Sequence, residues 1–323
     1  MASTAAVSAA QAAKTHLTHI ASKAPRVATL GKGAPPYQSR WKRVEPVPLT
    51  RDNFLDLLHG KTPTIREAGF LSPEECLAYE KELSPKLAPY KHNTGPLLKK
   101  VGVAQFEYQA QTALDFQTRS NEKDQYFEDA AQWRGFHSDL ATKVGFNAWE
   151  RVIGAVRALM PDHEVVIASE GPGRTYFSGI FRALNDATHV HCDWSPYDSL
   201  TEDWIINKVA SQVVFNLYLA PIVGGRTFVH DVQWTEECLS FRDPKSYGYH
   251  REITHGRQKA IVVPHPGDLC FFNSRNMHEV EKVEVTPFPE LGLSYRPRLT
   301  LSSFIGLLPE EQTGGRPRLI LWS

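Results

Sequence analysis

The sequence predicts an α+β chain in which N-terminal helices support a double-stranded β-helix, the jelly-roll or cupin-like closure of two facing sheets. Three observations carry this expectation: helical periodicity between about 49 and 163, eight short apolar or alternating runs between about 164 and 308, and no internal repeat or second domain boundary. Eight short strands bury their apolar sides best when two sheets face one another, which also leaves a mouth for ligands. Residues 49–323 therefore read as one domain behind an extension over 1–48.

In that extension no acidic residue occurs from Met1 to Val44, whereas Lys14, Lys23, Arg26, Lys32, Arg40, Lys42 and Arg43 are basic and Ala and Ser abound. The composition suits a mitochondrial-type transit peptide, and also a short helix over Ala5 to Ser22 or a tail ending in the Gly31-Lys-Gly-Ala-Pro-Pro36 linker. The cytoplasm is the expected compartment. Pro46 and Pro48 lead to a helix around Arg51 to Leu58. A second helix starts with Ser72 as cap, Pro73 at the first position and Glu75 reaching back. The aromatic-rich stretch from Gln125 to Phe146 adds a further helix. Another spans Asn147 to Met160, where Trp149, Val152, Ile153, Val156, Leu159 and Met160 recur at helical spacing and Asn147 with Glu150 makes a capping box. Strands are expected at Val165–Ala168, Tyr176–Arg182, Val213–Ala220, Thr227–His230, Ala260–Val263, Leu269–Phe272, Val280–Val285 and Arg298–Ile305.

Composition narrows the functions. The chain has 323 residues, 36 Lys+Arg against 36 Asp+Glu, and 41% hydrophobic residues, enough for a substantial core. Balanced charge argues against nucleic acid as a partner, because phosphate-backbone binding needs a strongly basic face. No apolar run approaches the roughly 20 residues that cross a bilayer, so no membrane is expected. Cys76, Cys192, Cys238 and Cys270 show no paired spacing, which fits a reducing compartment.

The chemistry centres on His191-Cys192-Asp193. In a strand, alternate side chains share a face, so His191 and Asp193 project together while Cys192 turns away as a small buried hydrophobe. His278, in the strand-turn-strand context that follows Pro266-Gly267-Asp268, supplies a distant second imidazole. Two histidines and one carboxylate on one face of a metal leave the opposite positions open. Further on, Arg298, Thr300 and Ser302 alternate onto one face of a strand. A guanidinium flanked by hydroxyls is suited to clamp a carboxylate, because its planar fork donates two parallel charge-assisted hydrogen bonds.

With those residues in that order, the chain resembles the iron(II)- and 2-oxoglutarate-dependent dioxygenase superfamily, whose pattern is His-x-Asp, a distal His and then Arg-x-Ser/Thr. The resemblance covers roughly Phe70 to Leu308 and leans toward the prolyl-hydroxylase-like branch. Glu67 to Cys76 looks like that branch's opening helix, and Val213 to Ala220 followed by Gly224 to Thr227 looks like its central hairpin. The resemblance implies that His191, Asp193 and His278 hold Fe(II) as the catalytic metal. It also implies that Arg298 with Thr300 or Tyr218 holds the far carboxylate of 2-oxoglutarate. O2 is then consumed, succinate and CO2 are released, and a substrate C–H is oxidised. Family halogenases carry a small residue where Asp193 stands, so the aspartate implies hydroxylation, desaturation or ring formation instead.

Arg182 falls where the family places an inward residue, and Arg182 and Asn216 are read as substrate-facing. A loop-tying arginine and an ordinary core asparagine are the plain alternatives. The stretch Trp194 to Gln212 departs from the branch, as does Gln233 to Lys259. The first of these is a candidate lid touching substrate through Tyr197 and Trp204, a surface helix over Thr201 to Lys208 being the alternative. Three function classes follow in rank: an oxygenase of a small molecule in specialised metabolism, a peptidyl or protein hydroxylase, and a metal-binding cupin that does not use 2-oxoglutarate. Oligomeric state is left open.

Overall fold

The computed structural model describes residues 39–90, 95–109, 122–199, 203–243, 246–284 and 296–323. The expected helix over residues 5–22 lies outside them. Helices α1 (Arg51–Leu58), α2 (Pro73–Leu83), α3 (Glu122–Gln132), α4 (Phe136–Val144) and α5 (Ala148–Leu159) occupy the first half. The Glu75 N–H donates to Ser72 Oγ at 3.2 Å and the Ser72 N–H donates back to Glu75 Oε2 at 2.9 Å, the expected capping box. Asn147 Oδ1 accepts from the Glu150 N–H at 2.9 Å, but the Glu150 carboxylate accepts from Arg157 rather than closing a box. The helix expected over residues 125–146 is two helices. Gly135, at φ 83°, breaks it in a left-handed conformation that other residues adopt only with strain.

The strands are β1 (Thr64–Glu67), β2 (Ala88–Pro89), β3 (Leu98–Val101), β4 (Glu164–Ile167), β5 (Ile180–Leu184) and β6 (Ser211–Tyr218). They continue with β7 (Thr227–Gln233), β8 (Lys259–Val262), β9 (Leu269–Asn273), β10 (Asn276–Val280), β11 (Leu299–Leu308) and β12 (Arg318–Trp322). A large sheet runs β1-β9-β6-β11-β5-β3-β2 with antiparallel neighbours, and β12 joins it antiparallel to the second half of β11 and parallel to β4. A small antiparallel sheet runs β10-β7-β8. Strands β1, β2, β3 and β12 are additions to the expected set, all short. The strand expected over residues 280–285 instead ends at Val280, because the β9–β10 turn is tight; residue 285 lies outside the described residues.

Period-two alternation assigns the two faces of the large sheet. Phe215 and Leu217 of β6, Phe271 of β9 and Leu299 and Leu301 of β11 are buried in one core with Phe54 and Leu57 of α1, Tyr79 and Leu83 of α2 and Val152 and Val156 of α5. Phe54 meets Phe271 edge-on, with ring centroids 5.7 Å apart. Each such side chain contributes about 1.5–3 kcal/mol relative to exposure. The residues in between, Arg182, Val214, Asn216, Phe272, Thr300 and Phe304, turn to the opposite face and line a cavity that also takes in His278 and Thr227 of the small sheet. The helices thus occupy one face of the sheet and free the other for ligands. The described part of the extension is packed: Trp41 is buried with Val214 and Val229, and Val47 bridges Ile65. Among the described residues, no helix is long and apolar enough to cross a membrane.

Candidate active site

His191 and Asp193 do not sit in a regular strand. The segment makes isolated antiparallel bridges, one of Val190 with Tyr249 and one in which the His191 N–H donates to the His278 carbonyl at 2.9 Å and the His278 N–H returns the bond at 2.7 Å. Asp193 is tied down separately: its N–H donates to the Ser274 carbonyl at 2.8 Å, and its own carbonyl accepts from Gln212 Nε2 and Ser274 Oγ, each at 3.0 Å. The expected convergence is nonetheless present. One ligand atom from each of His191, Asp193 and His278 lies within 4.8 Å of the others.

The imidazoles are oriented by backbone. His191 Nδ1 lies 2.8 Å from the His189 carbonyl and His278 Nδ1 lies 2.9 Å from the Asn276 carbonyl. A carbonyl only accepts, so each Nδ1 carries the proton and each Nε2 presents its lone pair to the centre. His278 Nε2 then faces Asp193 Oδ2 at 3.4 Å. Two electron-pair donors facing one another at that separation call for a cation between them, and the donor set fits a divalent transition metal. Burial, reinforced by nearby His278, pushes His191 down to about 4, which keeps it a neutral ligand. Burial by itself would raise Asp193, but its contact with His278 and the nearness of His191 and Arg182 outweigh it and hold the carboxyl at about 2.

Arg298, the residue just before β11, is 5% exposed. Its backbone N–H donates to Asn185 Oδ1 at 2.9 Å, and Nη2 reaches Thr227 Oγ1 at 3.3 Å and Tyr218 Oη at 3.4 Å. Among the described residues, Nε is buried without any acceptor and no carboxylate pairs with this guanidinium. A permanently charged group in that state is short of an anion, and the carboxylate of a bound acid fits it. Tyr218 is where the sequence expectation placed it. Thr300 lines the same cavity, but the hydroxyl that touches Arg298 belongs to Thr227, which sequence reasoning quoted without assigning. Gly225 leaves room for the arginine: a Cβ there would meet Arg298 Cδ at 3.0 Å and Val283 Cγ2 at 2.9 Å.

The cavity measures about 240 Å³ and is lined by the triad together with Arg298, Arg182 and Asn216. Tyr197 and Trp204 are not part of its wall. Trp204 is fully buried in an aromatic core, 5.6 Å from the Tyr126 ring and 5.9 Å from Tyr176, because a side chain that large gains more from burial than from covering a mouth. Tyr197 stacks on Trp234 at 4.4 Å. From the same segment it is Trp194, Ser195, Asp198 and Ser199 that reach the cavity. Tyr90, Gln105 and Tyr247 also line it; they come from irregular stretches whose sequence carried no periodic signal. Cys192 is buried, and burial raises its thiol well above the ordinary range, as its reading as a hydrophobe requires.

No family model matches the chain. It is 31% identical over 237 residues to the leucinostatins biosynthesis cluster protein S of Purpureocillium lilacinum, covering 72% of this chain and 89% of that protein. It is 25% identical over 308 residues to the L-gamma-glutamyl-L-propargylglycine hydroxylase of Streptantibioticus cattleyicolor, covering 90% and 99%. Among solved structures, an N-substituted L-amino acid dioxygenase from Burkholderia ambifaria AMMD is similar at 14% identity, 84% of this chain, 90% of that chain and a TM-score of 0.48.

Proposed function

The chain belongs to the iron(II)- and 2-oxoglutarate-dependent dioxygenase superfamily, and from that membership we propose that it hydroxylates an unactivated C–H bond of a small organic molecule. As a 2-oxoglutarate-dependent non-haem iron dioxygenase it works with Fe(II), 2-oxoglutarate and O2, releasing succinate and CO2. The observation that carries the assignment of roles is the meeting, on one cavity, of the His191–Asp193–His278 cluster with a buried Arg298 whose Nε has no acceptor. In this reading the two sheets form a double-stranded β-helix within a single domain over 49–323.

His191, Asp193 and His278 would hold the iron, and Arg298, with Tyr218 and Thr227 against Nη2 and Thr300 beside it, would hold the far carboxylate of 2-oxoglutarate. When bound, the metal and co-substrate supply the oxidation of a C–H bond, which no side chain can perform. The residues of the chain bind and orient. The carbonyls of His189 and Asn276 fix the tautomer and aim of both imidazoles, and Asn185 holds the backbone of Arg298 in place. Burial of Arg298 keeps water from the clamp. Hydroxylation is supported by the hydroxylase relative, and a role in specialised metabolism by the relative from a biosynthesis cluster. A cavity of about 240 Å³ suits a small molecule better than a peptide.

The reading is tested by titrating Fe(II) and 2-oxoglutarate into the protein without oxygen, following the metal-to-ligand absorption band, and then admitting oxygen and counting succinate. A band that forms and depends on Arg298 is expected. Its absence in wild-type protein, or succinate release insensitive to loss of His278, contradicts the reading.

A further inference from the structure

We propose that Arg182 anchors a carboxylate of the primary substrate, so that the molecule oxidised is an organic acid whose acid group sits at the Tyr90 end of the cavity. The proposal rests on the dioxygenase reading above and names the substrate class for that same site.

Arg182 lies on the cavity face of β5, in register with Thr300. Its Nε donates to Tyr90 Oη at 2.7 Å, its Nη1 donates to Ser302 Oγ at 3.2 Å, and its guanidinium carbon lies 5.9 Å from the centre of the Phe304 ring. These partners fix the fork but neutralise nothing, and among the described residues no carboxylate comes within ion-pair distance of it. Several other arginines of the fold are paired: Arg296 with Glu80, Arg51 with Asp162, Arg151 with Glu75 and Arg226 with Glu281. A half-buried guanidinium keeps its charge at any working pH, and a charge facing an enclosed cavity is stabilised when a ligand brings the counter-charge. Asp193, a nearby carboxyl that Arg182 helps to lower, belongs to the His191–Asp193–His278 cluster.

A second donor in the same wall is unspent. Gln105 is 3% exposed and its Nε2 has no hydrogen-bond partner among the described residues, so the cavity lining offers both a cation and an amide N–H short of an acceptor. The co-substrate does not account for Arg182. Arg298 is held by Tyr218 and Thr227 while Arg182 is held by Tyr90 and Ser302, so the two guanidinium groups share no partner and each faces the cavity from its own set of hydroxyls. The cavity therefore offers two separately held anion sites beside the His191–Asp193–His278 cluster. A substrate tethered by its acid at Arg182 would present a carbon further along its chain to the metal.

The test uses pairs of L-amino acids, N-acyl amino acids and dipeptides with their methyl esters. Two readings are taken: perturbation of the anaerobic Fe(II)–2-oxoglutarate band, and the rise in melting temperature of the metal-free protein. Expected is an acid that perturbs the band and raises the melting temperature while its ester does neither. Arg182→Met should lose that response at least tenfold, with 2-oxoglutarate affinity kept, and Arg182→Lys should retain part of it. Three results overturn the proposal: no acid that outdoes its ester, an acid response that survives in Arg182→Met, or 2-oxoglutarate affinity that falls with Arg182→Met, which would give Arg182 to the co-substrate. If Arg182→Met does not fold, Tyr90→Phe, which frees the guanidinium from its main restraint, should weaken the acid response alone, and an unchanged response overturns the proposal. Failure of wild-type protein to form the band at all removes the dioxygenase reading itself, a separate outcome from these.

Discussion

His191 and His278 exchange both of their backbone hydrogen bonds, at 2.9 and 2.7 Å, and their rings lie 4.2 Å apart. A reciprocal pair of this kind sets residues directly opposite each other, so the second imidazole is delivered by register although 86 residues separate the two in the chain (278 − 191 − 1). The loop bearing Asp193 is pinned to the same strand pair through Ser274.

Removing one side chain should therefore empty the site without unfolding it, because the backbone pairing does not depend on the ring. His278→Ala is expected to lower Fe(II) affinity by more than about 100-fold, above the range seen when only a supporting partner of a metal ligand is lost. It should also abolish succinate release. Equilibrium Fe(II) binding checks this, and coupled turnover in the variant would refute the role.

Gly225 holds φ at +66° and leaves no space for a methyl beside Arg298 and Val283. Gly225→Ala should combine backbone strain of about 1–2 kcal/mol with displacement of the arginine. KM for 2-oxoglutarate is expected to rise roughly tenfold, a loss of about 1.4 kcal/mol, while Fe(II) affinity is held. Equal loss of both would point to general damage instead.

Trp204 is structural in this fold. Trp204→Ala should destabilise the protein by about 3–5 kcal/mol, read by urea unfolding, with turnover per folded molecule little changed at low temperature. A large fall in turnover with unaltered stability would restore the lid role expected from the sequence.

His137 is sandwiched between the Trp149 and Phe177 rings, at 5.4 and 5.9 Å, with Nε2 3.0 Å from the Ser178 carbonyl. Burial pushes its pKa from 6.5 down to about 4. The unfolded chain then takes up a proton near pH 6.5 that the fold refuses until about pH 4, so stability falls as pH drops through that window and is unaffected by this group above it. The slope from one such site is at most about 1.4 kcal/mol per pH unit. Unfolding free energies measured at pH 5 and pH 7 should differ less in His137→Gln than in wild type, and an identical difference would show that His137 titrates normally.

Much of this was legible along the chain. Ser72 with Glu75 announced a helix start, alternation in Val213–Ala220 and Arg298–Ile305 separated the two faces of each strand, and the order of His191, Asp193, His278 and Arg298 named the chemistry. These are short-range properties: caps act within one turn, strand alternation is a period of two, and the affinity of imidazole and carboxylate for a metal belongs to the groups themselves. His191 and Asp193 converge with His278 even though their segment forms only isolated bridges.

What the sequence alone determined, then, was which groups could act. The tertiary structure decided which groups meet. That Thr227 rather than Thr300 supports the arginine, that Trp204 is interior, and that Arg182 faces the cavity with hydroxyl partners all depend on the register between strands far apart in the chain. No local pattern encodes that register, because it is set by the packing of whole faces against one another.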